Sequence, residues 1–331
     1  MRPFGYERAG TIDDALAAAA QPGTALLAGG TELLNWMRLG LAEPERVIDV
    51  TRIAGLDAID SLAGGGLRIG AIARLNDVAA DPRVRGGWPV LHDAIHKAAS
   101  AQLRNLATIG GNLLQKTRCA YFRSEDPDVP CNRRSAGSGC AAISGYGDRH
   151  ALFGWTEECI ATHPADPPVA LASLDAEVVT RRPGAAGRRI PIGELYMLPG
   201  ERVDADTVLE RGEVIEALEL PAPAPGSAYV KVRERESYEY ALVAAAGTVE
   251  LSGDGAISSA RIALGSVAMR PWRLRAAEQR LAGLRPDAPE VTDVLRGALA
   301  DARPAAASGY KVAIAVGAAR RALMNAARAV A

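Results

Sequence analysis

The residues best suited to chemistry in this sequence are four cysteines, and all of them fall in one loop-rich segment. Cys119, Cys131, Cys140 and Cys159 are the only cysteines in a chain of 331 residues. Four thiolates satisfy either a two-iron or a four-iron cluster. Wide spacing suits a cluster that a loop must surround. The pattern therefore favours an iron–sulfur cluster over four unrelated core cysteines.

Three other interpretations of the cysteines stay open. A structural zinc site usually contains a close Cys-x2–4-Cys pair, which this sequence lacks. Two disulfides suit an exported protein, but no export signal is evident. The third interpretation is four buried thiols without a ligand. Six basic residues in or beside the segment would stabilise an anionic cluster or form a solvated face: Lys116, Arg118, Arg123, Arg133, Arg134 and Arg149.

Two Gly-Gly turns are the other candidate binding features. Gly29-Gly30 follows a short apolar strand, and Gly110-Gly111 lies between Thr108 and Asn112. Adjacent glycines let the backbone approach a ligand closely, and free N–H groups at a helix start receive anions. A flavin dinucleotide has a diphosphate and two polyol segments, so two such loops suit it. An ordinary tight turn is the alternative for Gly29-Gly30, because no dinucleotide or P-loop motif is present.

Asp166 is a further candidate because Pro164 and Pro167 hold it in a rigid turn. Its carboxylate would accept hydrogen bonds from ribityl hydroxyls, or alternatively cap a helix that begins near Val169. The sequence shows no Ser/His/Asp set and no paired carboxylates, so no catalytic residue is predicted.

Short strands and amphipathic helices must position these groups. A helix is predicted over residues 11–20, with Thr11 as its N-cap. The alternation of residues 213–220 predicts a strand. The Pro-rich residues 221–226 form the clearest linker, after which three antiparallel strands and two or three helices are expected. The other predicted strands lie near residues 25–28, 47–50, 67–71, 175–180, 228–233, 241–251 and 261–267.

The composition bounds the class of protein. Apolar residues make up 48% and charged residues 23%, with a net charge of −1. This balance predicts two or three domains and no nucleic-acid partner. No apolar run reaches the ~20 residues that span a membrane. The chain start lacks the apolar core of a signal peptide, so a cytoplasmic protein is expected, or a periplasmic one if a partner subunit carries the signal.

Several motifs, in order, resemble the FAD-binding subunit of the molybdenum hydroxylases, the xanthine dehydrogenase and carbon monoxide dehydrogenase family. They lie at residues 27–33, 102–105, 108–112 and 212–215, and at Lys231. Within that family the chain is most similar to the flavin subunit of bacterial three-subunit aldehyde oxidoreductases. That branch carries an extra [4Fe–4S] cluster in an insertion after the second Gly-Gly loop. Residues 117–123, 131–132, 137–140 and 155–164 resemble this insertion, and its four ligand positions are the four cysteines.

The resemblance implies an α+β fold with a two-lobed FAD-binding domain of the vanillyl-alcohol-oxidase/PCMH type. This domain would span residues 1–222, with lobes at about 1–55 and 56–222 and a cysteine-rich insertion at 116–163. A small C-terminal domain, residues 226–331, would hold a three-stranded antiparallel sheet and a helix bundle.

The resemblance also implies roles for individual residues toward FAD. Thr108, Gly111 and Asn112 would bind its phosphate and ribityl side. His163 and Asp166 would lie on that side as well, while Ile215 and Lys231 would lie at the flavin ring. Residues 196–200 would lie beside the ring, with no stacking residue identified. The diphosphate would be wrapped by Leu26, Leu27, Ala28, Gly29, Gly30, Thr31, Glu32 and Leu33.

The function implied is that of the FAD-binding electron-transfer subunit of a molybdenum-containing aldehyde oxidoreductase. Its partners would be a molybdopterin-binding large subunit and a small subunit with two [2Fe–2S] clusters. FAD would take electrons from the small subunit and pass them to an external acceptor, while the [4Fe–4S] cluster would have a mainly structural role. The alternatives are a stand-alone flavin oxidase or reductase of the same fold, or a zinc-stabilised binding module without redox chemistry.

Overall fold

The first lobe is a three-stranded parallel sheet with two helices. The structure is a computed structural model that describes residues 1–331. The strand order is β1–β3–β2, so the turn after β2 leaves the carboxyl edge of the sheet. Thr11 and Asp14 form a reciprocal capping box at the start of the first helix. The elements are β1 (Gly5–Arg8), α1 (Ile12–Ala19), β2 (Thr24–Leu27), α2 (Leu33–Arg38) and β3 (Arg46–Asp49).

The second lobe contains a five-stranded antiparallel sheet and a group of short helices. The sheet order is β4–β5–β8–β6–β7. Two 3₁₀ turns lie at Ala63–Gly65 and Ile192–Glu194. The other elements are β4 (Ile59–Ser61), β5 (Leu67–Gly70), α3 (Leu75–Ala80), α4 (Pro82–Gly87), α5 (Pro89–Lys97), α6 (Ala101–Arg104), α7 (Ile109–Leu113), α8 (Ala141–Ser144), α9 (Pro167–Ser173), β6 (Glu177–Arg181), β7 (Arg189–Pro191) and β8 (Val214–Leu220).

The cysteine-rich segment, residues 116–163, has little regular structure apart from α8. Isolated backbone bridges join Cys131 to Cys140 and Thr156 to Cys159. The end of the segment is fixed to the C-terminal part of the chain, since the Leu152 N–H donates to the carbonyl of Val267 at 2.8 Å. The segment is therefore a loop that the rest of the fold holds in place at its end.

The C-terminal sheet has four strands rather than the three predicted, in the order β12–β11–β10–β9. The added strand is only two residues long and pairs Trp272 with Leu264 and Arg273 with Ala263. A two-residue strand has no alternation for sequence analysis to detect. The elements are β9 (Ser227–Val232), β10 (Val243–Leu251), β11 (Ile257–Gly265), β12 (Trp272–Arg273), α10 (Arg275–Leu281), α11 (Pro289–Ala298) and α12 (Tyr310–Arg328).

This C-terminal sheet is covered on both faces. Ala244 and Ala246 of β10 join the core of the second lobe, while Val243 and Ala245 join a second core under α10–α12. Because successive strand residues point to opposite faces, both faces of β10 need apolar residues, and residues 243–247 have no polar side chain. No helix of the structure combines the length and the apolar character that a membrane crossing requires.

Candidate flavin groove and cysteine site

A cavity of about 370 Å³ lies between the two lobes, and both Gly-Gly turns reach it. Ile215 lines this cavity, together with ten other residues that were expected to contact FAD. Leu27, the remaining residue of the first motif, belongs to β2 and does not line the cavity. The expected residues that line it are Leu26, Ala28, Gly29, Gly30, Thr31, Glu32, Leu33, Thr108, Gly111 and Asn112.

The backbone of the first turn presents unpaired donors. None of the N–H groups of residues 28–33 donates a hydrogen bond to another protein group, and all six residues line the cavity. These residues are half-buried, and a run of N–H groups without a protein partner along a cavity wall offers a place for an external acceptor. Successive backbone N–H groups form concave anion sites, and a diphosphate is such an anion.

The glycines of the two turns are required by close approach of the backbones. A Cβ atom on Gly29 would lie 1.9 Å from the carbonyl oxygen of Leu106, and one on Gly110 would lie 2.9 Å from that of Ala71. Gly30 has φ +72°, a left-handed conformation that glycine adopts without strain. The first turn therefore packs directly on the backbone of Leu106, just before the second turn, and both turns line the groove.

The second turn supplies unpaired acceptors. Thr108 caps α7 by accepting from the Gly111 N–H at 3.2 Å. The side-chain oxygens of Asn112 and Gln115 are buried and have no hydrogen-bond partner. An orphaned acceptor needs a donor, and the hydroxyls of a ribityl chain are donors of the right kind. Free amide donors on one turn and free acceptors on the other match the diphosphate and polyol of FAD.

The far end of the groove contains Ile215 and Glu213. Arg188 binds the Glu213 carboxylate through two nitrogens at 2.6 and 2.7 Å, and the Thr180 hydroxyl donates to it at 2.6 Å. Burial alone would raise the pKa of Glu213, but these hydrogen bonds lower it to about 2. Glu213 is therefore an ionised structural support beneath this end of the groove.

Three other residues expected at FAD lie outside the groove. Lys231 is 2% exposed and donates to Asp166 at 2.8 Å, and the Tyr229 hydroxyl donates to the same carboxylate at 2.6 Å. Burial raises the pKa of Asp166, although Lys231 acts in the opposite direction. His163 is buried against Tyr196, with ring centroids 4.5 Å apart, and burial lowers its pKa to about 4.

The four cysteines come together around one small enclosed cavity. All are free thiols, and the His150 ring nitrogen lies 3.3 Å from the sulfur of Cys119. Burial raises the pKa of Cys119 to about 11 and also raises that of Cys159. No three His, Cys, Asp or Glu side chains of the structure are close enough to bind a single metal ion. On deprotonation these four groups would be soft thiolate donors, the ligand type that iron–sulfur clusters use.

Comparison with known proteins identifies the family. The family model described as the FAD binding domain in molybdopterin dehydrogenase matches residues 2–223. That for the CO dehydrogenase flavoprotein C-terminal domain matches residues 228–326. The chain belongs to the FAD-binding subunits of the molybdenum hydroxylase family. It is an oxidoreductase subunit of the aldehyde, xanthine and carbon monoxide dehydrogenase type, with an FAD-binding domain.

Individual relatives agree with this assignment. The aldehyde oxidoreductase FAD-binding subunit PaoB of Escherichia coli (strain K12) is 45% identical, over 95% of both chains. A carbon monoxide dehydrogenase structure from Hydrogenophaga pseudoflava superposes with a TM-score of 0.77 at 28% identity, covering 100% of both chains. Quinoline 2-oxidoreductase from Pseudomonas putida 86 has a TM-score of 0.76 at 22% identity, covering 99% of this chain and 98% of that one, which shows the fold alone. The N-terminal family model and the E. coli relative name FAD, and none of these matches names an iron–sulfur cluster.

Some groove residues were missed from the sequence. Trp36, Gln115 and Glu213 all line the cavity. Trp36 lies four residues after Glu32, and Gln115 lies three after Asn112, so helical spacing was the available signal for both. Glu213 is the first residue of a predicted strand and offered no such signal, because its Arg188 partner is distant in sequence.

Proposed function

We propose that this chain is the FAD-binding electron-transfer subunit of a molybdenum-containing aldehyde oxidoreductase. The similarity to the E. coli aldehyde oxidoreductase subunit, which covers 95% of both chains, supports aldehydes as the substrate class of the complex. The groove supports the cofactor, because its free donors and free acceptors are chemically complementary to FAD. The partners would be a molybdopterin-binding large subunit and a small subunit with two [2Fe–2S] clusters. Electrons would enter from the small subunit and leave to an external acceptor.

The residues of the groove would hold FAD by separate contacts. The N–H groups of residues 28–33 would bind the diphosphate, and Asn112 would accept from a ribityl hydroxyl. Leu209, Val214 and Ile215 give an apolar surface at the opposite end. When bound, FAD supplies a centre that accepts electrons singly and releases them in pairs. The chain itself positions the cofactor and excludes water, and none of its side chains is proposed to act as an acid or base.

The purified complex tests this function directly. Under anaerobic conditions an aldehyde should bleach the flavin absorbance of the complex, whereas the isolated chain should show no bleaching. The variant Asn112→Leu should weaken FAD binding by ~10-fold, the scale of one lost hydrogen bond in a buried site. The matched control is Gln279→Leu, an exposed amide in α10, which should bind FAD normally. Aldehyde turnover by the isolated chain would instead support a stand-alone flavin oxidase.

We further propose that Cys119, Cys131, Cys140 and Cys159 hold a [4Fe–4S] cluster with a mainly structural role. The support is their convergence on one cavity, which Arg133 also lines. Cysteine binds metal as the thiolate, and four soft sulfur ligands suit an iron–sulfur cluster.

Metal analysis of protein purified without air tests the cluster. About four irons and four acid-labile sulfides per chain are expected for a [4Fe–4S] centre. Cys159→Ser should reduce both while leaving the chain folded. Zinc without sulfide would instead support the zinc-stabilised site and overturn the cluster.

A further inference from the structure

Glu32 connects the flavin groove to the cysteine-rich segment. Its backbone belongs to the turn of free N–H groups, while its side chain is 13% exposed and turned into a set of cationic and N–H donors. Trp36 Nε1 donates to the carboxylate at 2.7 Å, and Arg123 Nη2 donates at 3.1 Å. Arg118 forms a close ion pair with the other oxygen. The first Gly-Gly turn is therefore anchored through one carboxylate.

Arg118 and Arg123 lie on either side of Cys119 in the sequence, and Arg123 fixes the backbone around it. Arg123 donates to the carbonyl of Thr117 at 2.8 Å and to that of Lys116 at 3.2 Å. Its own N–H donates to the carbonyl of Cys119 at 3.1 Å. A change that orders residues 116–123 therefore also orders the guanidinium groups of Arg118 and Arg123, which bind Glu32.

A second set of contacts ties the same residues to neighbouring parts of the fold. The Arg118 guanidinium stacks on the Tyr240 ring of the C-terminal domain at 4.6 Å. Lys116 lies 5.4 Å from the Trp36 ring and bonds Asp206 at 2.5 Å. Glu32 is thus the carboxylate at the centre of a cationic clamp between the groove, the cysteine segment and the C-terminal domain.

The ion pairs of Glu32 with Arg118 and Arg123 are expected to form or break together. Arg118 and Arg123 are largely buried, and burial lowers the pKa of both. Each has Glu32 as its only carboxylate partner. Removal of one partner from a buried ion network is far more costly than loss of an exposed pair, because the remaining charges stay desolvated. Glu32 and the two arginines are expected to hold together or release together.

We propose that Glu32 is a positioning residue that couples occupancy of the cysteine site to FAD binding. The filled cysteine site orders residues 116–123, and Arg118 and Arg123 then fix Glu32 and with it the N–H groups of the turn. The coupling rests on the cluster proposed above, whereas the clamp on the turn does not. By thermodynamic linkage, bound FAD would raise the affinity for the cluster by the same factor as the cluster raises the affinity for FAD.

The test is a cycle of FAD titrations on four flavin-free preparations: wild type and Glu32→Gln, each with its cluster and after anaerobic chelation. In the wild type, cluster removal should weaken FAD binding by ~10-fold, within the usual range of coupling between sites. Glu32→Gln should bind FAD ~10-fold more weakly with its cluster in place, and chelation should change its affinity by less than ~2-fold. Glu43→Gln, a carboxylate of the same lobe that pairs only with exposed Arg2, should behave as wild type.

Each result decides between the parts of the proposal. Equal FAD affinity of the wild type with and without its cluster would overturn the coupling. A coupling that persists in Glu32→Gln would show that it bypasses this residue. Absence of iron and sulfide from the wild type would overturn the cluster alone, and unchanged FAD affinity of Glu32→Gln would then overturn the clamp. If Glu32→Gln does not fold, Arg123→Gln removes the guanidinium that binds Glu32 and the Thr117 and Lys116 carbonyls, and it should lose part of the same coupling.

Discussion

At the level of single residues, the flavin groove is distinguished by polar groups that have no hydrogen-bond partner within the protein. Residues 28–33 offer N–H donors without acceptors, and Asn112 offers a buried oxygen without a donor. The Asn112 oxygen alone would be a cost to folding, because an unpaired buried polar group destabilises a protein, whereas the N–H groups of residues 28–33 are half-buried and open to an acceptor. Together they face one cavity with opposite hydrogen-bonding character. A ligand with an anionic centre and a hydroxylated chain would pair with both sets of groups, and FAD is such a ligand.

The first prediction concerns Gly29. In Gly29→Ala the new methyl group would lie 1.9 Å from the Leu106 carbonyl oxygen, which is backbone and has little freedom to shift. The first turn must move away from the Leu106 backbone, so we expect ~1–3 kcal/mol of lost stability and weaker FAD binding. Urea unfolding and FAD titration measure the two effects. Gly86→Ala in α4, where no heavy atom lies within 4 Å of the added methyl, is the control, and similar behaviour of both variants would contradict the close contact.

The second prediction is the pH dependence that Glu213 confers. Hydrogen bonds to its carboxylate outweigh burial and lower its pKa from 4.5 to about 2. A depressed folded pKa means that the stabilisation is complete above pH 4.5 and disappears as pH falls toward 2. Glu213→Gln should therefore lower the free energy of unfolding by ~1–3 kcal/mol at pH 7 and by less at pH 3. Urea titrations at both pH values measure this, and a constant difference would exclude ionised Glu213 as the cause.

At the scale of elements, the sequence was most informative where the signal is local. The capping pattern at Thr11 predicted a helix that the structure begins at Ile12, and alternation over residues 213–220 predicted β8. Strand β12 was missed because two residues carry no period. The pairing of Asp166 with Lys231 was also invisible, since it depends on a register between elements 65 positions apart. Helix caps and hydrophobic periodicity depend on neighbouring residues and can be predicted from the sequence, whereas ion-pair partners such as Asp166 and Lys231 depend on tertiary packing.

The third prediction compares two glycines where α12 packs on the C-terminal sheet. A methyl group on Gly247 of β10 would lie 3.1 Å from the backbone carbon of Ala322, so the helix must move away. One on exposed Gly317 in α12 would meet no heavy atom within 4 Å. Gly247→Ala should destabilise by ~1–3 kcal/mol, and Gly317→Ala should stabilise by ~0.5–1 kcal/mol because alanine loses less backbone entropy. Thermal unfolding ranks them, and equal effects would contradict the close helix–sheet contact.

At the scale of the whole molecule, one buried network joins the two family domains. Asp166 at the start of α9 binds Lys231 and Tyr229 of β9. The amine of Lys97, at the end of α5, donates to the Tyr229 carbonyl at 2.7 Å. Lys231 donates in turn to the Lys97 carbonyl at 3.1 Å. Because the same sheet also contributes to the core of the second lobe, the domains share both apolar packing and a charge network, and we expect them to unfold together.

The last prediction breaks that network. Lys231→Met leaves the Asp166 carboxylate buried without its cation, which should cost ~3–5 kcal/mol of unfolding free energy at pH 7. Asp166→Asn combined with Lys231→Met removes both charges while preserving an acceptor for Tyr229, so the double variant should recover most of that loss. Arg202→Met, which removes an exposed ion pair to Asp204, should leave stability unchanged. Urea unfolding followed by fluorescence measures all three. If Lys231→Met split the transition into two while the double variant restored one, the charge network, rather than the apolar contact, would be what makes the two domains a single cooperative unit. An unchanged single transition and midpoint would assign that role to the shared core.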